Sequence, residues 1–172
     1  MLTAPLISTD PDVRARTNQL ENFAYRRATP ADAEAMLDLY ERLSSESRYT
    51  RFFRPLRRID SSLQAQIIDI SSANVWLAFD GDVCIGEARV VRSTREPCSD
   101  LAVTVADDYQ GRGLGSQLAR LAVNDARRES GCVAMSMLAT NDAAKQLARN
   151  FGIRLQFSDG ILEGVIDGST VL

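Results

Sequence analysis

Ala33, Met36, Leu37, Tyr40 and Leu43 recur at helical spacing and predict an amphipathic helix over 30–43. Thr29 followed by Pro30 marks its start, a capping side chain with proline in the first turn. Before it, apolar and polar positions alternate over 23–27, as in a strand. A second helix carries Leu63, Ile67, Ile68 and Ile70, with Ser61 or Ser62 as its cap. Strands at 75–79 and 83–92 are joined by the hairpin turn Asp80-Gly81-Asp82. A strand at 100–105 runs into a glycine-rich turn, then a helix with Leu114, Leu118, Leu121 and Ala122 on one face. Gly131 stops that helix. A buried strand over 132–138, a short helix over 141–150 and strands at 153–157 and 161–166 complete the chain, the last two turning at Ser158-Asp159-Gly160. Two stretches lack an assigned element. Residues 1–22 show no period and read as a mobile or loosely docked extension. Residues 44–58 mix Arg48, Arg51, Arg54, Arg57 and Arg58 with Tyr49, Phe52 and Phe53 and read as a loop.

The order is β-α-α-β-β-β-α-β-α-β-β, with hairpins dominating the first half. A purely parallel, doubly wound sheet does not fit this pattern, whereas a mixed α/β sheet does. The 172 residues suit one domain over 23–172. Hydrophobic residues at 45% and charged residues at 25% are ordinary for a globular protein. A net charge of −3 argues against nucleic-acid binding. No apolar run approaches the length of a membrane span, and the first residues lack a signal-peptide core, so a cytoplasmic protein is expected.

Cys84, Cys98 and Cys132 are odd in number and widely spaced, which suggests neither a disulfide framework nor a paired zinc motif. Histidine is absent. That excludes Ser-His and Cys-His nucleophiles and disfavours a transition-metal site. Any proton transfer must use carboxylates, backbone, water or a perturbed Tyr, Lys or Cys.

Strand, glycine-rich turn and helix start form a geometry for holding phosphate, because unpaired amides and the helix dipole both face the anion. Gly111, Gly113 and Gly115 supply the turn, followed by Ser116. A P-loop is excluded, since no Gly-Lys-Ser/Thr ending is present. The dinucleotide fingerprint fails on glycine spacing and on its context after hairpin strands. A tight connection that binds nothing remains open on these residues alone.

The longer segment Tyr109-Gln110-Gly111-Arg112-Gly113-Leu114-Gly115 resembles the Gln/Arg-x-x-Gly-x-Gly/Ala signature of the GNAT acyltransferases. Asn141-Asp142-Ala143-Ala144-Lys145-Gln146-Leu147-Ala148-Arg149-Asn150-Phe151-Gly152 is similar to a later helix of that family. The resemblance covers roughly residues 23–167. It implies a mostly antiparallel sheet of about seven strands flanked by about four helices, and acetyl-CoA as co-substrate without a metal. It further implies that amides of Gln110, Gly111, Arg112, Gly113, Leu114, Gly115 and Ser116 hold the CoA pyrophosphate. The main chain of Val103 and Val105 would pair with pantetheine, and the Val105 amide would meet the oxyanion. Asn141 and Lys145 would face pantetheine or the adenosine phosphates; a plain helix cap and a solvated lysine are the alternatives.

Transfer to an amine needs a deprotonated nucleophile, and an ammonium with pKa near about 10 starts roughly 4 kcal/mol uphill at neutral pH. A carboxylate near the thioester, acting directly or through water, answers that need. Asp100 lies on the strand before the loop, on the face shared with Ala102 and Thr104. Leu43-Ser44-Ser45-Glu46-Ser47-Arg48-Tyr49-Thr50-Arg51-Phe52-Phe53 resembles a stretch of the bacterial protein lysine acetyltransferases that modify acyl-CoA synthetases. Those enzymes usually carry Ala-Glu-Phe-Ala-Val before the loop, with the Glu as proposed base. Here the run is Ser99-Asp100-Leu101-Ala102-Val103, so Asp100 takes that place with a shorter side chain. The family's tyrosine acid is replaced by Ala148, and Glu87 stands as a reserve carboxylate. The resemblance implies an acetyltransferase whose acceptor is a protein lysine, for instance on an acyl-CoA synthetase. The arginines of 44–58 either meet an acidic partner surface at the acceptor side or are simply solvated, and Tyr49, Phe52 and Phe53 either contact substrate or pack in the core. A homodimer is admitted; nucleic acid and membrane are not among the expected partners. A small-amine acetyltransferase and a CoA-binding module without turnover are the alternatives.

Overall fold

The computed structural model describes residues 22–93 and 97–167. The expected mobile extension over 1–22 lies outside them, apart from Asn22. The chain begins with β1 (Ala24–Arg27), a short 3-10 turn at Pro30–Asp32, then α1 (Ala33–Arg42), α2 (Ser45–Phe52) and α3 (Ser61–Ile68). β2 (Ala73–Asp80), β3 (Val83–Val91) and β4 (Ser99–Val105) follow, and a 3-10 turn at Asp107–Tyr109 leads into α4 (Leu114–Ser130). β5 (Val133–Leu138), α5 (Asp142–Asn150), β6 (Gln156–Ser158) and β7 (Ile161–Ile166) complete it. The seven strands form one sheet in the order β1-β2-β3-β4-β5-β7-β6. β4 and β5 are parallel, and the other neighbours are antiparallel. The described α-helices number five, against about four expected.

The extra helix is α2, which replaces the expected loop. Ser44 caps it by accepting the Ser47 amide at 3.1 Å. None of its residues is fully buried, so it has no apolar stripe to betray it in the sequence. α3 is capped by Asp60, whose carboxylate accepts the Leu63 amide at 2.9 Å, and not by Ser61 or Ser62. β6 is shorter than expected: Ile153 and Leu155 pack against the core and lie outside its ladder. Its turn narrows to Asp159 and Gly160, both at positive φ.

Each sheet face buries its own helices. α4 lays Leu114, Leu118, Ala119, Ala122, Val123 and Ala126 on Ala78, Ala88, Val90 and Leu101. It approaches so closely that a Cβ at Gly86 would sit 2.8 Å from Leu118 Cδ1 and 2.9 Å from Leu114 Cδ2. On the opposite face, α1 and α3 cover Val75, Leu77, Phe79 and Cys84 with Met36, Leu39, Tyr40, Leu63 and Ile67. A bulge between Ala78 and Phe79 breaks the β2–β3 register. The start of α1 is tied down by Asp32, whose carboxylate accepts from Arg26 at 2.5 and 2.7 Å and from the Thr29 amide at 2.7 Å. Arg26 and Thr29 hold that carboxyl well below the usual carboxylate range.

The cysteine spacing suggested no disulfide, yet Cys98 and Cys132 form one. They are 34 residues apart in sequence but adjacent in the sheet, immediately before β4 and β5. Cys84 is the free thiol, and burial pushes it up to about 12. Among the described residues no helix is long and apolar enough to cross a membrane.

Candidate active site

β4 and β5 share only a short parallel ladder, Ser99↔Val133 and Asp100↔Ala134. Beyond Asp100 that ladder stops, while β4 stays paired with β3 as far as Val105. The Ala106 amide continues that edge, reaching the Ile85 carbonyl at 2.9 Å. Backbone groups in an antiparallel ladder alternate between the two edges of a strand. The Ala106 bond therefore turns the amides of 102 and 104 toward β3, that of Leu101 into the last step of the β5 ladder, and those of Val103 and Val105 toward the gap beside β5. A slot lined by unladdered main chain opens between β4 and β5, closed at Asp100 and open near Val105.

Side chains of β4 alternate too. Val103 and Val105 lie on the α4 side, each with a methyl 3.5 Å from the Cβ position of Gly115. Asp100, Ala102 and Thr104 face the side of α1 and α3, where the Thr104 hydroxyl donates to the Tyr40 hydroxyl at 3.3 Å. Asp100 is exposed and borders an open hollow of ≈ 690 Å³ with Cys98, Ala134, Ser136, Arg154 and Glu163.

At the open end stands the glycine loop. Gly111 and Gly113 have φ of 74° and 90°, where a Cβ is disfavoured. Gln110, Gly111, Arg112 and Gly113 are all exposed. α2, α3 and α5 each begin with a side chain accepting an amide of the first turn: Ser44, Asp60 and Asn141. α4 begins at Gly113, which has no such side chain, and its first helical bond is Gln117 N–H to Gly113 O at 3.1 Å. The amides of Leu114, Gly115 and Ser116 thus lack an intrahelical or side-chain partner at the positive end of a 17-residue helix. The Leu114 side chain is 1% exposed and belongs to the core, so only its main chain can serve a ligand.

The remaining expected residues fall around this frame unevenly. Asn141 caps α5, its Oδ1 accepting the Ala144 amide at 3.0 Å. Lys145 is ion-paired with Asp142 at 2.6 Å. Asn150 donates to the Ser116 hydroxyl at 3.3 Å, joining α5 to the first turn of α4. Ala148, expected at the place of a tyrosine acid, is fully buried in the core. Glu87 shares a face with Asp100 and Thr104 but is 1% exposed and locked to Arg89, which also donates to the carbonyls of Gln66 and Ile67 at the end of α3. It is a structural pair away from the slot edge of β4. Of the aromatic residues on 44–58, Phe52 packs on Tyr40 with ring centroids 5.7 Å apart, whereas Tyr49 and Phe53 are exposed.

One functional connection escaped the sequence reading. Asp107 accepts the Ser44 amide at 2.9 Å, the Ser44 hydroxyl at 2.8 Å and the Ser47 hydroxyl at 2.7 Å. Burial alone would raise its pKa, but these bonds outweigh it and the pKa is lowered. Gln110 Nε2 donates to Ser47 Oγ and to the Val105 carbonyl, both at 3.1 Å. The loop, the slot and α2 are therefore one hydrogen-bonded unit. Ser44 at the cap and Ser47 in the first turn of α2, three apart, were the available signal.

An uncapped helix start at the mouth of a main-chain slot defines a site for an anionic ligand with an extended, amide-bearing arm. Comparison with known proteins narrows the class. The acetyltransferase (GNAT) family matches residues 32–153, and the chain belongs to that family. The acetyltransferase Pat of Mycolicibacterium smegmatis is 36% identical over 111 residues, 62% of this chain. That stretch spans only 32% of the mycobacterial protein. The acetyltransferase PA5475 of Pseudomonas aeruginosa is 33% identical over 132 residues, covering 73% of this chain and 69% of its own. Among solved structures, the GNAT domain of S. lividans PAT superimposes with a TM-score of 0.75 at 25% identity, over 83% of this chain and 89% of that one. The acetyltransferase yncA of Salmonella typhimurium, solved with its cofactor acetyl-CoA, has a TM-score of 0.68 at 19% identity, over 85% and 94% of the two chains.

Proposed function

We propose that this protein transfers an acetyl group from acetyl-CoA to a primary amine, with a protein lysine as the acceptor. The observation that carries the reading is the uncapped start of α4 at the open end of the β4–β5 slot. The amides over 110–116 suit a pyrophosphate, and the edge of β4 over 101–105 suits the two amides of a pantetheine arm. Acetyl-CoA supplies the activated thioester.

The order of groups along β4 refines where chemistry would occur. At roughly 3.3 Å per residue, Val105 is about 16 Å from Asp100, whereas Val103 is about 10 Å away. A carbonyl held at the Val105 amide would be out of Asp100's reach. With Val105 on pantetheine and Val103 on the carbonyl, one bridging water connects Asp100 to an attacking amine. Val103 N–H then meets the developing oxyanion. Asp100 takes the amine's proton through water. The amine attacks the carbonyl carbon, the tetrahedral intermediate collapses, and CoA leaves as the thiolate, a group good enough to depart without the missing tyrosine.

The protein-lysine part rests on the likeness to Pat and on the openness of the hollow beside Asp100. A small amine would favour a closed pocket. The test is thiol release from acetyl-CoA with three acceptor sets: small amines, lysine peptides and a folded acyl-CoA synthetase. Release with the folded protein is expected to exceed that with free amines. Faster turnover of a small amine would replace the acceptor, and tight acetyl-CoA binding with no release on any acceptor would leave a binding module.

A further inference from the structure

We propose that Cys98 and Cys132 are a reversible dithiol–disulfide site that clamps the closed end of the β4–β5 slot and tunes transfer there. The tuning half rests on the acyl-transfer reading; the redox half does not.

The two cysteines occupy the step just below Ser99↔Val133 and Asp100↔Ala134, with Cα atoms 4.9 Å apart. Those two pairs, with the Ser99 amide on the Cys132 carbonyl at 3.2 Å, are the whole β4–β5 ladder. A joint held by so few bonds depends heavily on a covalent tie at its apex. Asp100 is two residues beyond Cys98, and both border the same open hollow. Both sulfur-bearing residues are partly exposed, so a small thiol or disulfide can reach them. Cys84 is different in kind, being 2% exposed with its thiol pushed up to about 12.

The chemistry is thiol–disulfide exchange with a low-molecular-weight disulfide such as oxidised glutathione. The thiolate of one cysteine attacks a sulfur of that disulfide and expels one thiolate. The second cysteine thiolate then attacks the mixed disulfide, forms the Cys98–Cys132 bond and expels the other. The small disulfide is reduced to two thiols while two cysteine thiols are oxidised, and a dithiol reductant reverses both steps. In the disulfide form the apex holds Asp100 against the slot. In the dithiol form the two-pair ladder frays, and Asp100 loses its fixed distance from Val103.

The full chain is equilibrated in oxidised and in reduced glutathione, and thiols are alkylated before and after denaturation, with intact mass as readout. The oxidised form is expected to weigh two hydrogens less and to expose only Cys84, and only after denaturation. The reduced form should be alkylated at Cys98 and Cys132 while folded. Hydrogen exchange over 99–105 and 133–138 should be slower in the oxidised form. Reduction should lower kcat/KM for the acceptor about tenfold, the size expected when a catalytic group shifts by a fraction of its reach. Affinity for acetyl-CoA should stay within a factor of two. A Cys98→Ser/Cys132→Ser variant should match the reduced form in every buffer. Three alkylatable thiols in oxidised glutathione would overturn the site. Equal exchange in the two forms would overturn the clamp. Equal exchange and equal kcat/KM together would leave the bond inert. Because mass, alkylation and exchange need no turnover, an inactive protein would sink the acetyltransferase reading without deciding this one.

Discussion

Gln110 and Ser47 are hydrogen-bonded at 3.1 Å, side-chain amide to hydroxyl, across 63 residues of sequence. This bond joins the glycine loop to α2, and Asp107 anchors the same serine from below at 2.7 Å. Loop and helix are thus held together by side-chain hydrogen bonds.

Asp107→Ala removes three bonds to α2 at once. The acceptor KM is expected to rise about tenfold, while acetyl-CoA affinity by calorimetry changes little, because the loop amides are untouched. Since the folded pKa of Asp107 is lowered, its contribution is complete above the ordinary carboxylate range and fades as pH falls through the depressed value. The same loss in wild-type protein should therefore appear only under acid.

Gly113→Val places a β-branched residue at φ 90°. Acetyl-CoA affinity should drop at least about tenfold, through strain and through the crowded approach to the α4 amides. Unchanged affinity in a calorimetric titration would remove the loop from the ligand site.

Gly86→Ala tests how tightly α4 is seated. Its Cβ would meet Leu118 and Leu114 at 2.8 and 2.9 Å, and the Thr104 carbonyl at 3.3 Å. Overpacking of this kind costs about 1–3 kcal/mol. Urea unfolding should show that loss, accompanied by weaker acetyl-CoA binding because Leu114 opens α4. A loss of stability with intact affinity would mean that the loop adjusts independently of the core.

Asp32→Asn should cost about 1–3 kcal/mol at neutral pH by weakening the charged bonds to Arg26 and Thr29. The carboxyl is held low in the folded protein, so this stabilisation is present above about pH 4 and is lost as pH falls through its folded value. Urea midpoints of the two proteins should converge below that range. A constant gap down to pH 2 would assign the effect to packing.

The large helix was legible because it buries one face, and the central strands because their apolar runs end at clear turn residues. Leu114, Leu118 and Ala122 at helical spacing, the turn at Gly81 and the stop at Gly131 all declare their roles locally. α2 was not legible, since its stability comes from Ser44 and Asp107 and not from an apolar stripe. The Cys98–Cys132 bond was hidden by sequence distance, because the α4 crossover alone brings those residues together. The glycine loop could be read as an anion cradle, but its selectivity lies in the slot, which appears only when β4 and β5 are seen to part. Glu87 illustrates the converse: a strand carboxylate on the right face is buried and paired through Oε1 with Arg89, which itself ties to the end of α3, while its Oε2 has no hydrogen-bond partner among the described residues.

The central claim is that Asp100, at the closed end of the slot, activates the amine. The direct measurement is acceptor-dependent thiol release by Asp100→Ala, with acetyl-CoA affinity measured on the same sample. Turnover is expected to fall about 10²- to 10³-fold while affinity stays within a factor of two, as for loss of a general base. Full turnover by Asp100→Ala on a good acceptor would contradict the assignment.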